Sequence, residues 1–229
     1  MPCVLITGAN RGLGLEFARQ YRDAGWRVIA CCRAPEQAPA LQALGVEVEA
    51  LEVPDADSLA ALAHRLAGQP VNLLINNAGI YGTHAHQAFG TVDCVSFLAA
   101  QQVNAFGPLA VTQALVSNLR AAVAAGGTAT VAIVSSRMGS IGEMPGGSYI
   151  YRASKASVNM VGAGLAHDLK PDGIAVVLLH PGWVRTDMGG PDGMLDAPES
   201  VSGMRAAIAA SSLDRTGLFV DYQGKELPW

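Results

Sequence analysis

The sequence predicts an α/β domain, a doubly wound parallel sheet with helices on both faces. Three observations carry that prediction. Short runs rich in Val, Ile and Leu alternate with longer segments of helical character, the pattern of repeated βαβ units. Most of these runs are nearly continuously apolar, as strands covered on both faces should be. The first run enters a glycine-rich turn, Thr7-Gly8-Ala9-Asn10-Arg11-Gly12-Leu13-Gly14, at a strand-to-helix junction of the kind that meets a pyrophosphate.

In chain order the strands are expected at residues 3–7, 27–32, 47–53, 71–76, 129–135, 174–180 and 216–220. Helices are expected between them at about 13–24, 56–66, 94–119, 149–169 and 198–210. Asp55 and Ser58 are both suitable N-caps for the second helix, which leaves its start open. The Ala-, Val- and Leu-rich faces of 94–119 exceed what one sheet contact requires, so pairing across a two-fold axis is expected. Gly- and Pro-rich stretches at 142–147 and 189–198 follow strands at their C-terminal ends, where ligand-binding loops lie. With no repeat, low-complexity tract or linker, residues 1–229 form one domain, and loops at about 138–150 and 183–198 border the substrate.

Composition narrows the function. The 229 residues carry 15 Lys+Arg against 19 Asp+Glu, a net charge of -4, with 50% apolar and 15% charged residues. A chain of this length buries roughly 70% of its unfolded surface and needs no disulfide or structural metal. The acidic balance and the absence of any Lys/Arg run argue against nucleic acid as a partner. Cys3, Cys31, Cys32 and Cys94 form no CxxC and fit neither a disulfide framework nor a zinc site. Cys94 and the Cys31/Cys32 pair read as small apolar fillers. Pro2 leads straight into Cys3-Val4-Leu5-Ile6 without the form of a signal peptide. No apolar stretch approaches the roughly 20 residues of a membrane span. A soluble, cytoplasmic protein is expected. His84 and His86 lack companions for a metal site, and no metal is expected.

The glycine spacing is Gly-x-x-x-Gly-x-Gly. Asn76-Asn77-Ala78-Gly79 follows the fourth strand, Tyr151-x-x-x-Lys155 opens a long helix, and Pro181-Gly182 follows the sixth strand. In this order, across nearly the whole chain, these motifs resemble the short-chain dehydrogenase/reductase family. The resemblance implies the strand order 3-2-1-4-5-6-7, a nicotinamide dinucleotide and a homodimer or homotetramer. Tyr151-Arg152-Ala153-Ser154-Lys155, His180 to Met188 and the ending Gly224 to Trp229 look like the subgroup of C-factor proteins and sniffer-type carbonyl reductases.

The tip of the second strand reads Cys31-Cys32-Arg33, with no carboxylate to hold ribose hydroxyls. Arg33 and Arg11 are placed to bind a 2′-phosphate bidentately, so NADP(H) is the expected cofactor. Gly8, Asn10, Arg11, Gly12, Leu13 and Gly14 would form its phosphate loop. By resemblance, Glu52 and Val53 meet the adenine, with Glu52 where the family usually has Asp. Asn77, Ala78 and Gly79 pass beneath the cofactor, and Pro181, Gly182, Val184 and Thr186 receive its nicotinamide end.

Reduction of a carbonyl by hydride needs a proton donor, a group that lowers the donor's pKa and a hydrogen-bond donor for the oxygen. Tyr151 and Lys155, four apart, share a helix face, so the ammonium can bring the phenol toward neutrality. Tyr149 lies on another side and is excluded as the acid. The family's catalytic serine matches Ser136, with Ser135 as the alternative if the alignment slips by one. Ser136 stands fifteen residues before Tyr151, about two more than the family's common spacing, with the extra residues in the Gly-rich loop. Resemblance makes Asn104 a kink residue holding a water in a proton relay to Lys155. Tyr81, Met138, Met144, Trp183, Met188 and Met194 fall in loops near the nicotinamide and suit an apolar carbonyl substrate, although each could instead fill the core or a subunit contact. The chain is therefore expected to be an NADPH-dependent reductase of an apolar aldehyde or ketone. The other reading is a C-factor-like signalling protein that binds the dinucleotide as a structural or sensory ligand.

Overall fold

The computed structural model describes residues 1–229. Strand β1 (Cys3–Thr7) leads to helix α1 (Gly12–Asp23), β2 (Arg27–Cys32), α2 (Pro39–Leu44), β3 (Glu47–Ala50), α3 (Ala56–Arg65) and β4 (Leu73–Asn76). There follow α4 (Cys94–Gln101), α5 (Gly107–Ala124), β5 (Ala129–Val134), α6 (Tyr149–Leu169), β6 (Ile174–His180), α7 (Ala197–Ala209) and β7 (Leu218–Asp221). All six strand pairings are parallel, in the order β3-β2-β1-β4-β5-β6-β7.

Because successive side chains of a strand point to opposite faces, each strand contributes to two cores. Leu5, Ile29, Leu74, Ile133 and Leu178 meet Leu59 and Leu62 of α3, Val111 and Leu115 of α5, and Val158 of α6. Their neighbours Val4, Ile6, Ala30, Ile75 and Leu179 meet Phe17 and Tyr21 of α1, Leu41 of α2, and Val201 and Met204 of α7. Both cores are buried, which fixes the register: a one-residue slip would send every apolar side chain to the wrong layer.

Several boundaries depart from the sequence reading. β3 ends at Ala50, not 53, so Glu52 and Val53 lie in the following turn. β4 starts at Leu73 rather than 71, β5 stops at Val134 rather than 135, and β7 runs Leu218–Asp221 rather than 216–220. The open choice of cap for α3 resolves to Asp55, whose carboxylate accepts from the Ser58 N–H at 2.7 Å. Helix α2 is not among the expected elements, although Pro39 at its start and left-handed Gly45 at its end are standard punctuation. Segment 94–119 is two helices joined by a π-helical turn over Gln102–Phe106, and it extends to Ala124. Taken together, Cys94–Ala124 is long and apolar enough to cross a membrane by length and composition alone. In the fold, however, Val111, Leu115 and Leu119 are buried in the core. Cys94 is exposed rather than a filler, whereas Cys3, Cys31 and Cys32 are buried.

Candidate active site

Loops leaving the C-terminal ends of the strands surround a cleft of about 460 Å³. Gly8, Asn10, Arg11, Gly12 and Leu13 form one wall. Gly14 stands behind it, where a Cβ would lie 2.2 Å from the Gly8 carbonyl oxygen and 2.6 Å from Asn77 Nδ2. Only glycine lets the first turn of α1 sit this close to the loop. The N-cap Arg11 makes no side-chain cap bond, which leaves the first N–H groups of α1 to another acceptor.

Asn77, Ala78 and Gly79 form the floor. Asn77 Nδ2 donates to the carbonyls of Thr7 (3.0 Å) and Gly8 (3.1 Å), and the N–H groups of Asn77 and Ala78 both donate to Thr7 Oγ1 at 3.0 Å. The end of β4 is thereby tied to the turn after β1.

Arg33, Glu52 and Val53 border the β2–β3 end of the cleft. The two arginines do not stand free. Arg11 pairs with Asp187 at 2.8 Å, and Arg33 lies 3.9 Å from the Glu52 carboxylate. Glu52 thus faces an arginine, and its backbone N–H donates to Ser58 Oγ at 2.9 Å. Both pairs are largely exposed, so each is worth under about 1 kcal/mol.

Tyr151 and Lys155 enter from the first two turns of α6 and line the cleft, 9% and 5% exposed. The Lys155 ammonium lies over the Tyr151 ring, 5.7 Å from its centroid, and donates to the Val134 carbonyl at 2.8 Å. Burial pulls Lys155 down to about 8. Burial also pushes Tyr151 up to about 12; the Ser136 hydroxyl opposes that rise and Tyr81 adds to it. The expected lowering of the phenol by the ammonium is therefore corrected, because desolvation of the phenolate dominates.

Ser136 lies beside Tyr151, and its Oγ accepts from the Met138 N–H at 3.1 Å. Ser135 Oγ is already committed, donating to Asn159 Oδ1 at 2.5 Å. The turn that carries Ser136 is seated on α6 through Gly139, where a Cβ would fall 2.6 Å from the Lys155 carbonyl carbon. The extra residues of 141–147 are exposed and leave this contact intact.

Asn104 sits in the π-helical turn and is buried. Its Oδ1 accepts from Ile80 N (2.8 Å), while Nδ2 donates to Ile80 O (2.7 Å) and Ser154 Oγ (2.9 Å). Both side-chain protons are thus engaged in structure.

After β6, Pro181, Thr186, Asp187 and Met188 line the cleft. Gly182 is in the turn and Val184 is buried behind it. Thr186 Oγ1 accepts from Gly189 N at 3.1 Å. Of the remaining apolar residues, the Tyr81 ring lies 4.9 Å from that of Tyr151, Met138 is half-buried, and Met144, Trp183 and Met194 are exposed. His86 contacts Asp93 and Ser96, but no group of three possible metal ligands forms. Asp187, within the segment His180 to Met188, also lines the cleft, and Gln87, which no periodicity or motif marks, accepts from Tyr151 N.

The model of the short chain dehydrogenase family matches residues 2–193. The C-signal protein of Myxococcus xanthus is 47% identical over 170 residues, 74% of this chain and 99% of that protein. The carbonyl reductase Sniffer of D. melanogaster superposes with a TM-score of 0.94 at 33% identity over the whole of both chains. An NADPH-bound carbonyl reductase from chicken fatty liver gives 0.91 at 33% identity, covering 100% of this chain and 99% of that one. The ordered motifs, the sheet order and these likenesses agree: the chain belongs to the short-chain dehydrogenase/reductase family, in the C-factor and sniffer-type subgroup.

Proposed function

We propose that the protein is an NADPH-dependent reductase of apolar aldehydes or ketones. The observation that carries this reading is Tyr151, buried beside Ser136 with Lys155 one turn on, in a cleft walled by a glycine loop. When bound, NADPH supplies a hydride to the substrate's carbonyl carbon. Ser136 donates a hydrogen bond to the carbonyl oxygen, and Tyr151 gives its phenolic proton to the alkoxide that forms. A phenol held up to about 12 retains that proton at neutral pH, as an acid for reduction must. Lys155, which donates to the Val134 carbonyl, has protons left for ribose hydroxyls. With its amide engaged, Asn104 would serve a relay water through the main-chain carbonyl that the π-helical turn can free.

Gly8, Gly12, Gly14 and the N-terminus of α1, with Asn10 and Leu13, hold the pyrophosphate. Arg11 and Arg33 exchange their carboxylate partners for the 2′-phosphate. Glu52 and Val53 flank the adenine, Asn77 to Gly79 pass beneath the cofactor, and Pro181, Gly182, Val184 and Thr186 take the nicotinamide end. Met188 in the cleft and Tyr81 against the Tyr151 ring, with exposed Met144 and Met194 in the neighbouring loops, favour an apolar substrate. The whole chain acts as one domain, with loops 138–150 and 183–198 closing on the substrate. Four free cysteines support a cytoplasmic setting. Exposed Val95, Leu98, Phe106 and Met160 support a homo-oligomer.

The likeness to C-signal favours one other reading, a signalling protein that keeps the dinucleotide as a ligand. Tyr151→Phe separates the two. The reductase loses carbonyl turnover while still binding NADPH, whereas a binding-only protein behaves as the unsubstituted chain in a signalling assay.

A further inference from the structure

The helix that carries Tyr151 begins without a cap of its own. Ser148, at its N-cap position, has φ +49 in the left-handed region and makes no side-chain cap bond. Its hydroxyl instead meets the Tyr81 hydroxyl at 3.1 Å. Capping comes from Gln87, more than sixty positions earlier. Its backbone carbonyl accepts from Tyr149 N at 2.9 Å, the first residue of α6, and its side-chain Oε1 accepts from Tyr151 N at 3.2 Å, the third. The third N–H is the one an ordinary N-cap side chain would satisfy. Gln87 Nε2 donates to the Tyr81 carbonyl at 2.8 Å, and the Tyr81 ring lies against that of Tyr151. The glutamine is 7% exposed and packs closely: a Cβ on Gly82 would stand 3.3 Å from both its Nε2 and Ile150 Cγ2.

Resting on the reductase reading, we infer that Gln87 is a positioning residue for the proton donor, a cap in trans that sets the height of Tyr151 and aligns Tyr81 with it. Gln87 borders neither the glycine loop nor the β2–β3 end of the cleft, so its effect falls on the chemical step rather than on cofactor binding.

The test compares Gln87→Met, which keeps the volume and removes both side-chain bonds, with Gln87→Glu. Each is assayed for NADPH affinity, single-turnover reduction of an apolar aldehyde, and hydrogen–deuterium exchange over residues 149–152. Gln87→Met is expected to slow the turnover by ~10- to 100-fold, the scale of a displacement near 1 Å. NADPH affinity should stay within about twofold and exchange at 149–152 should rise. Buried Glu is driven toward its neutral form, which accepts from Tyr151 N and donates to the Tyr81 carbonyl as the amide does. Gln87→Glu should therefore recover turnover at low pH and lose it as the carboxylate forms, a pH profile that the unsubstituted protein lacks. Unchanged turnover in folded Gln87→Met, unchanged exchange, or a loss in Gln87→Glu that does not vary with pH would each overturn the inference. The absence of carbonyl reduction by the unsubstituted chain overturns the reductase reading instead, and exchange at 149–152 still judges the cap by itself.

Discussion

Lys155 is a charge that the fold holds at a loss, and its removal should make the protein more stable while ending its activity. An ordinary lysine titrates near 10.5; here burial brings the value to about 8. Holding the ammonium in the fold rather than in the unfolded chain therefore costs about 3 kcal/mol at pH 7. Lys155→Met fills much the same space, but it leaves the Val134 carbonyl without the donor now 2.8 Å away, a loss of about 1 kcal/mol. The net expectation is a gain of about 2 kcal/mol in urea unfolding at pH 7, or about 4–8 °C in Tm for a chain of this size. The sign with pH is definite. Between about 8 and 10.5 the unfolded chain keeps a proton on Lys155 that the fold has released, so the unsubstituted protein gains stability as pH rises. Lys155→Met lacks that gain, and the gap between the two should close by pH 10. Tyr151, held up to about 12, works in the opposite direction only above about pH 10 and is present in both proteins. A variant less stable than its parent at pH 7, or a gap that does not change with pH, would refute the reasoning.

Four further outcomes are expected. Gly14→Ala drives a Cβ against the Gly8 carbonyl, and NADPH affinity in a fluorescence titration should fall by on the order of tenfold or more. Gly164→Ala meets open space on α6 and should raise stability by about 0.5–1 kcal/mol instead. Arg33→Ser should weaken NADPH by about ten- to a hundredfold in calorimetry and leave NADH nearly unchanged, because only the 2′-phosphate loses a charged donor. His180 is lowered to about 4, chiefly by burial and also by Arg137. Its neutral form therefore stabilises the fold above about pH 6.5, and that contribution is lost as pH falls toward 4. Unfolding between pH 7 and 4.5 should show about 2–3 kcal/mol more acid loss in the unsubstituted protein than in His180→Gln.

The fold was legible because its signals are local. Continuous apolar runs mark two-sided strands, and the Thr7–Gly14 turn marks where the sheet meets a ligand. Helix α6 was bounded as found, Tyr149–Leu169. Features created by long-range contacts were not legible. Helical periodicity does not register the π-helical turn at Gln102–Phe106, where Asn104 reaches Ile80, and a kink there is expected only through the resemblance of Asn104 to the family's helix asparagine. Asp187 meets Arg11 across 176 positions, and Gln87 reaches Tyr151 across 64. The direction of the Tyr151 shift is not legible for a related reason. Residue spacing shows that Lys155 is near but not how dry the site is, and dryness decides the sign.

The most direct test of the central claim is the oxidation of NADPH by the purified protein in the presence of apolar aldehydes, ketones and quinones, with NADH and Tyr151→Phe in parallel. The account predicts one alcohol formed per NADPH oxidised for at least one such carbonyl, a clear preference over NADH, and loss of ~10²-fold or more in Tyr151→Phe without loss of NADPH binding. Tight NADPH binding with no turnover of any carbonyl, or turnover that survives in Tyr151→Phe, would contradict it.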